Sequence, residues 1–184
     1  MMRIAPPYPQ RRPLRLPTYD YSQAGAYFIT MCTYLRLPLL GTIREGVVTL
    51  SAAGTIFEEE RVRTPTFRSH VTLDAYVIMP NHIHGILFLR ERAKEDRRDG
   101  VEARRQSFAS PSRTIGAIVR GVKGASTPRI RKLGSRADIQ VWQREYYDHV
   151  IRNEGDLSRL REYIQNNPLK WELDCYYLRR VELP

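Results

Sequence analysis

Cysteine is almost absent. Cys32 and Cys175 are the two in 184 residues, too few and too far apart for a disulfide framework or a zinc knuckle, which suits a reducing cytoplasm. Long apolar runs are missing as well: residues 75–79 and 85–89 fall far short of the roughly 20 apolar residues a bilayer span needs, so no membrane association through a helix is expected. The first seventeen residues lack the apolar centre of a secretory signal, which argues against export. Acidic residues are scarce beside basic ones, 20 Asp and Glu against 30 Lys and Arg, and the net charge of +10 points to a polyanionic partner. The length suits one domain with appendages rather than two domains.

Residues 1–24 hold five prolines and four arginines with little apolar periodicity, and read as an extended basic arm. The domain is expected over residues 25–175, with a short tail at 176–184. Residues 26–36, rich in aromatic and β-branched side chains, and residues 47–50 read as the two strands of an antiparallel hairpin. Ser51 is placed to cap a helix over 52–63 that Pro65 ends. Residues 71–79 and 82–89 read as two strands broken at Pro80-Asn81, and are expected in the middle of the sheet. Residues 91–112, dense in charge with Gly, Ser and Pro, read as a mobile loop. Helices follow over 114–123 and 155–166, the latter with Leu157, Leu160 and Ile164 on one stripe. The order β, β, α, β, β, α, α predicts an α+β fold, helices packed on a mainly antiparallel sheet as in ferredoxin-like folds.

On a strand, His82 and His84 share one face while Ile83 takes the other, so both imidazoles can reach one cation. A third ligand is still needed, and open positions could serve water and a phosphate oxygen. Asn167 lies four residues after Tyr163, so one side of the last helix can present both. Tyr163 falls about 90° from the centre of the apolar stripe, at the flank of the buried face. A phenol with a pKa near 10 is a weak nucleophile and needs a polarised phosphate or a base.

Three segments of the chain resemble the REP-associated tyrosine transposases, within the single-tyrosine, IS200-like HUH transposases. They are Leu73-Asp74-Ala75-Tyr76-Val77-Ile78-Met79-Pro80-Asn81-His82-Ile83-His84-Gly85, then Trp142-Gln143-Arg144-Glu145-Tyr146-Tyr147-Asp148-His149-Val150-Ile151-Arg152, and Tyr163-Ile164-Gln165-Asn166-Asn167-Pro168. The resemblance implies a ferredoxin-like HUH endonuclease fold, Mg²⁺ or Mn²⁺ held by His82 and His84 with Asn167 as third ligand, and Tyr163 as catalytic nucleophile. It also implies single-stranded hairpin DNA, derived from REP-like palindromes, as partner, and cleavage and rejoining through a 5'-phosphotyrosine link. A bacterial nucleoid setting follows from such a partner, and either a monomer or a homodimer is compatible with it.

Residues 104–136 hold nine Lys and Arg and no acid. Arg104, Arg105, Arg113, Arg120, Lys123, Arg129, Arg131 and Lys132 are therefore the expected phosphate contacts. Trp142, Tyr146 or Tyr147 is expected to stack on unpaired bases, with Trp142 the first choice. His149 reads as a structural hydrogen-bond partner. Blander readings compete: a His-x-His strand is by itself more often packed or solvated than metal-binding, Tyr163 on an amphipathic helix is by default a rim aromatic, and Asn167 before Pro168 suits a helix end. Two other functions remain open at this level. One is a non-catalytic nucleic-acid-binding module with an RNA-recognition-like sheet, and the other is a metal-dependent hydrolase of small phosphate esters, which leaves the basic segment unexplained.

Overall fold

The computed structural model describes residues 19–91, 113–134 and 139–177. Most of the expected basic arm, the 91–112 loop beyond Glu91, Arg104, Arg105 and most of the tail lie outside these residues. The fold is α+β. Strands β1 (Gly25–Cys32), β4 (Val71–Ile78), β5 (His82–Leu89) and β6 (Tyr147–Ile151) form one antiparallel sheet in the order β4-β5-β1-β6. Strands β2 (Gly41–Arg44) and β3 (Val47–Leu50) form a separate hairpin. Helices α1 (Ala52–Val62), the short α2 (Thr64–Phe67) and α3 (Ile115–Arg131) precede β6, and α4 (Glu154–Asn166) runs into a 3₁₀ helix over Pro168–Leu173.

Residues 47–50 thus pair with β2 and not with β1. The turn explains the change: Glu45 and Gly46, at φ 51° and 75°, make the tight left-handed pair that joins two short strands. Partnered by β5 and β6, β1 occupies the sheet centre, and β4 is an edge rather than a middle strand. The strand β6 has no counterpart among the predicted elements. Pro128 was no barrier to α3, which continues eight residues past the expected end. Pro65 sits in the first turn of α2, where its missing N–H is harmless.

The caps follow the sequence signals. The Ser51 hydroxyl accepts from Gly54 N, that of Thr114 from Ala117 N, and Asn153 Oδ1 from Asp156 N. Gly54 is required by contact, since a Cβ there would lie 2.0 Å from the Leu40 carbonyl oxygen.

Strand alternation sends β1 and β5 side chains to opposite faces. One face supplies Tyr27, Ile29, Met31, Ile83 and Leu87, which pack with Phe57 of α1 and Ile118, Val119 and Val122 of α3. The other supplies Phe28 and Ile86, which pack with Val77 and Met79 and with Leu157 and Ile164 of α4. Full burial of each such side chain contributes ~1.5–3 kcal/mol. His82 and His84 lie on this second face, under α4. Among the described residues, no helix is long and apolar enough to cross a membrane.

Candidate active site

The turn Met79-Pro80-Asn81 delivers β5 to the site: Met79 N donates to His82 O at 2.8 Å, and Thr33 N donates to Asn81 O at 2.9 Å. His82 and His84 are both buried, and their Nε2 atoms stand 3.0 Å apart. Each ring is held from behind, His82 Nδ1 by Asn81 Oδ1 at 2.9 Å and His84 Nδ1 by Thr30 Oγ1 at 2.8 Å. Asn81 Nδ2 donates to the carbonyls of Arg36 and Tyr176, so its Oδ1 is the acceptor and the network assigns the His82 proton to Nδ1. Two bare lone pairs at 3.0 Å would repel. His84 therefore carries Nε2–H toward His82, and the Thr30 hydroxyl donates to His84 Nδ1. Because a hydroxyl can donate or accept, Thr30 also allows the opposite tautomer.

Burial, reinforced by Arg36, pushes the His82 pKa down to about 3; burial and the nearness of His82 push His84 down to about 3 against the opposing pull of Asp174. Both rings are neutral at pH 7, the form that ligates metals.

Tyr163, on α4, places its Oη 3.2 Å from His84 Nε2. It is 41% exposed, in keeping with its position at the flank of the Leu157 and Ile164 stripe. Burial raises its phenol pKa, Asp174 and Cys175 raise it further, and a hydrogen bond from Asn167 works against them. Such a phenol reacts only when positive charge stabilises its anion. A cleft of about 420 Å³ opens beside it, lined among others by Arg159, Asn166, Lys170 and Asp174.

Asn167 ends α4 with helical backbone angles, so the chain turns at once into the 3₁₀ helix. Its Nδ2 donates to Asp174 Oδ2 at 3.1 Å, while its Oδ1 is buried with no hydrogen-bond partner among the described residues. An orphaned amide oxygen of this kind costs about 1–3 kcal/mol. Asp174 Oδ2 lies 3.9 Å from His82 Nε2, and the ligand atoms of His82, His84 and Asp174 all fall within 4.8 Å of one another. Two imidazole nitrogens, an unpartnered amide oxygen and a carboxylate suit a divalent cation of mixed N/O preference.

Sequence reasoning missed Asp174, which follows the last periodic segment; a carboxylate seven residues after Asn167 was the available signal. The same stretch brings the Tyr176 ring to 4.5 Å and the Trp171 ring to 6.0 Å from His82. Arg36 sits over Tyr176 at 4.9 Å and donates to the Cys175 carbonyl. Arg36 and Leu35 both take positive φ, 56° and 52°, a strain of about 1–3 kcal/mol each. His149 pairs with Asp156 at 2.9 Å, the structural hydrogen bond expected of it.

The basic residues are scattered in role. Lys123 is half-buried and gives its ammonium to the carbonyls of Gln143, Arg144 and Glu145, and burial pulls its pKa down to about 8. Arg129 pairs with Glu59 and Glu60 of α1. Arg131 donates to the Ile139 carbonyl. Arg113 is half-buried at the start of α3, while Arg120 and Lys132 are exposed. Arg131 and Lys132, with Gln140, line an open groove along the C-terminal half of α3. Trp142 also borders this groove but offers a base almost no surface. It is 6% exposed, packed against Phe57, with its indole N–H donated to Ser126. The isolated bridge to Thr33 fixes it there, a long-range pairing that no local pattern announces.

No protein-family model matches the chain. An uncharacterized protein of Haemophilus influenzae is 39% identical over 170 residues, covering 91% of this chain and 93% of that one. Among solved structures, a REP-associated tyrosine transposase bound to a REP hairpin superposes with a TM-score of 0.59 at 20% identity, covering 85% of this chain and 74% of that one. The four-stranded antiparallel sheet with its packed helices is the fold of that transposase.

Proposed function

The chain belongs to one family with the Haemophilus influenzae protein and has the fold of a REP-associated tyrosine transposase; from this we propose that it is a transposase-type nickase and strand transferase acting on hairpin-forming single-stranded DNA. The observation that carries the reading is the Tyr163 hydroxyl, 3.2 Å from Nε2 of His84 in the buried histidine pair.

In this reading the Tyr163 oxygen attacks the phosphorus of one phosphodiester. The bond from phosphorus to the 3' oxygen breaks, that oxygen leaves as a hydroxyl, and the 5' phosphate stays on Tyr163. A 3' hydroxyl reverses the step, so rejoining needs no nucleotide cofactor. His82, His84 and Asn167 hold a divalent cation, with Asp174 within reach as a further ligand. Bound Mg²⁺ or Mn²⁺ supplies charge withdrawal at the phosphate. Asn81 and Thr30 keep the imidazoles oriented, Asn167 favours the phenolate by its hydrogen bond, and α4 keeps bulk water from the buried side of the pair. Arg113, Arg120, Arg131 and Lys132, with Arg104 and Arg105 from the segment outside the described residues, are the proposed phosphate contacts; Lys123 and Arg129 are structural.

The test is incubation of the full chain with labelled hairpin oligonucleotides and Mn²⁺, followed by denaturing electrophoresis. A covalent adduct is expected, lost with chelator, in Tyr163→Phe and in His82→Ala. An adduct formed equally well by Tyr163→Phe overturns the nucleophile. Binding that survives chelation, with no adduct from any hairpin, favours the non-catalytic binding module instead.

A further inference from the structure

On the face of the sheet that carries the histidines, α4 packs over β4 and β5. The β1–β6 half of that face bears Thr30, Phe28 and Ala26 opposite Tyr147, His149 and Ile151. Because β6 is an edge strand, Tyr147 stands at the margin of the site. It remains 38% exposed although the neighbouring Phe28 is buried.

The rings are placed in sequence. Phe28 stacks on His84 at 5.3 Å, and the edges of Tyr163 and Tyr147 approach Phe28 at 6.2 Å and 6.5 Å. Tyr147 is thus joined to the nucleophile through one intervening ring. Its register partner Thr30 is the residue that holds His84. Next along the strand, His149 is anchored by Asp156, which also receives Arg159, so an imidazole and a guanidinium are fixed beside the same open face.

We infer that Tyr147 is a stacking platform for an unpaired base of the DNA strand that enters the site, and that it positions the adjoining phosphate at Tyr163. An exposed aromatic on an edge strand, with a guanidinium held nearby, is the arrangement that single-stranded nucleic acids recognise, with the π face gripping the base whatever its identity. The inference rests on the proposed strand transfer and names the residue that sets the register of its substrate. It also moves the stacking role from buried Trp142 to a ring that a base can reach.

The full chain in chelator, where no cleavage proceeds, is titrated with hairpin oligonucleotides carrying 2-aminopurine at each unpaired flanking position in turn. One position is expected to be strongly quenched on binding. Tyr147→Leu keeps the apolar bulk on the edge strand but loses that quenching and binds roughly tenfold more weakly, whereas Tyr147→Trp retains both. Removing the quenched base weakens the wild type by a similar factor and Tyr147→Leu no further, a pairing that a merely structural tyrosine would not produce. Wild-type binding by Tyr147→Leu, or additive losses, overturns the platform. The adduct assay with Mn²⁺ separates the two claims. Adduct with Tyr147-independent binding removes the platform alone, and Tyr147-dependent quenching without adduct removes the strand-transfer reading alone.

Discussion

Toward α1 and α3, the inward positions of β5 are Ile83 and Leu87, meeting a layer of Phe57, Ile118, Val119 and Val122. Toward α4, the alternate positions of the same strand begin with His82 and His84, and the layer they meet includes Asn167, Asp174 and the Tyr163 hydroxyl. One strand therefore separates an apolar core from a buried polar cluster that carries an unpaired amide oxygen and two imidazoles held neutral against their tendency to protonate. The contrast teaches that the larger apolar cluster fills one face, while on the other a smaller cluster shares the space with groups kept for chemistry. Substitutions should sort accordingly.

The largest stability effect belongs to the first face. Phe57→Ala is expected to lower the unfolding free energy in urea by about 3–5 kcal/mol. Below its melting temperature the variant should still form the DNA adduct. Loss of adduct in protein that remains folded would break the division.

Next comes acidification. The folded pKa of each imidazole, about 3, lies below the ordinary 6.5, so between these values the unfolded chain binds more protons than the folded one. Stability of chelated protein is then intact above pH 6.5 and falls toward pH 3, by at most ~1.4 kcal/mol per pH unit for each ring. Chemical unfolding at a series of pH values should yield this slope, and His82→Leu should flatten it. An unchanged slope in that variant would place the acid sensitivity elsewhere.

A smaller effect has the opposite sign. Asn167→Leu removes the orphaned oxygen and should stabilise chelated protein by about 1 kcal/mol while abolishing the Mn²⁺-induced rise in melting temperature. A variant that melts lower in chelator would mean that the bond to Asp174 outweighs the orphan. The smallest change is at the surface. Arg120→Gln should reduce the slope of log affinity against log salt for hairpin DNA by about one. An unaltered slope would clear Arg120 of phosphate contact.

The elements that were legible in the sequence are those whose cause is local. Alternation placed His82 and His84 on one face, the apolar stripe built α4 and set Tyr163 at its flank, and Ser51 marked the start of α1. Nonlocal causes were hidden. β6 is short and its residues 147–150 alternate weakly between polar and apolar, so it becomes a strand only by pairing with β1. Residues 47–50 pair with residues 41–44 because of the Glu45-Gly46 turn, a closer partner than the strand assigned to them. Trp142 looked available because neighbouring tyrosines and arginines suggest a surface, yet Phe57 and Ser126, distant in sequence, enclose it. Arg129 likewise looked like a free cation in an acid-free segment, when its acids stood on α1. Asp174 reaches the histidines only because Asn167 passes α4 directly into another helical turn.

Thr30 carries one more consequence, and it concerns heat. Its hydroxyl can turn from donor to acceptor, so His84 can hand its proton from Nε2 to Nδ1 within the ring environment instead of releasing it. With His82 already protonated on Nδ1, both ligand nitrogens become available at neutral pH without a proton leaving the protein. The calorimetric enthalpy of Mn²⁺ uptake should then be the same in Tris as in PIPES, once buffer–metal binding is subtracted. Thr30→Val, which leaves the Nδ1 proton without an acceptor, should weaken Mn²⁺ uptake while the enthalpy stays equally independent of buffer.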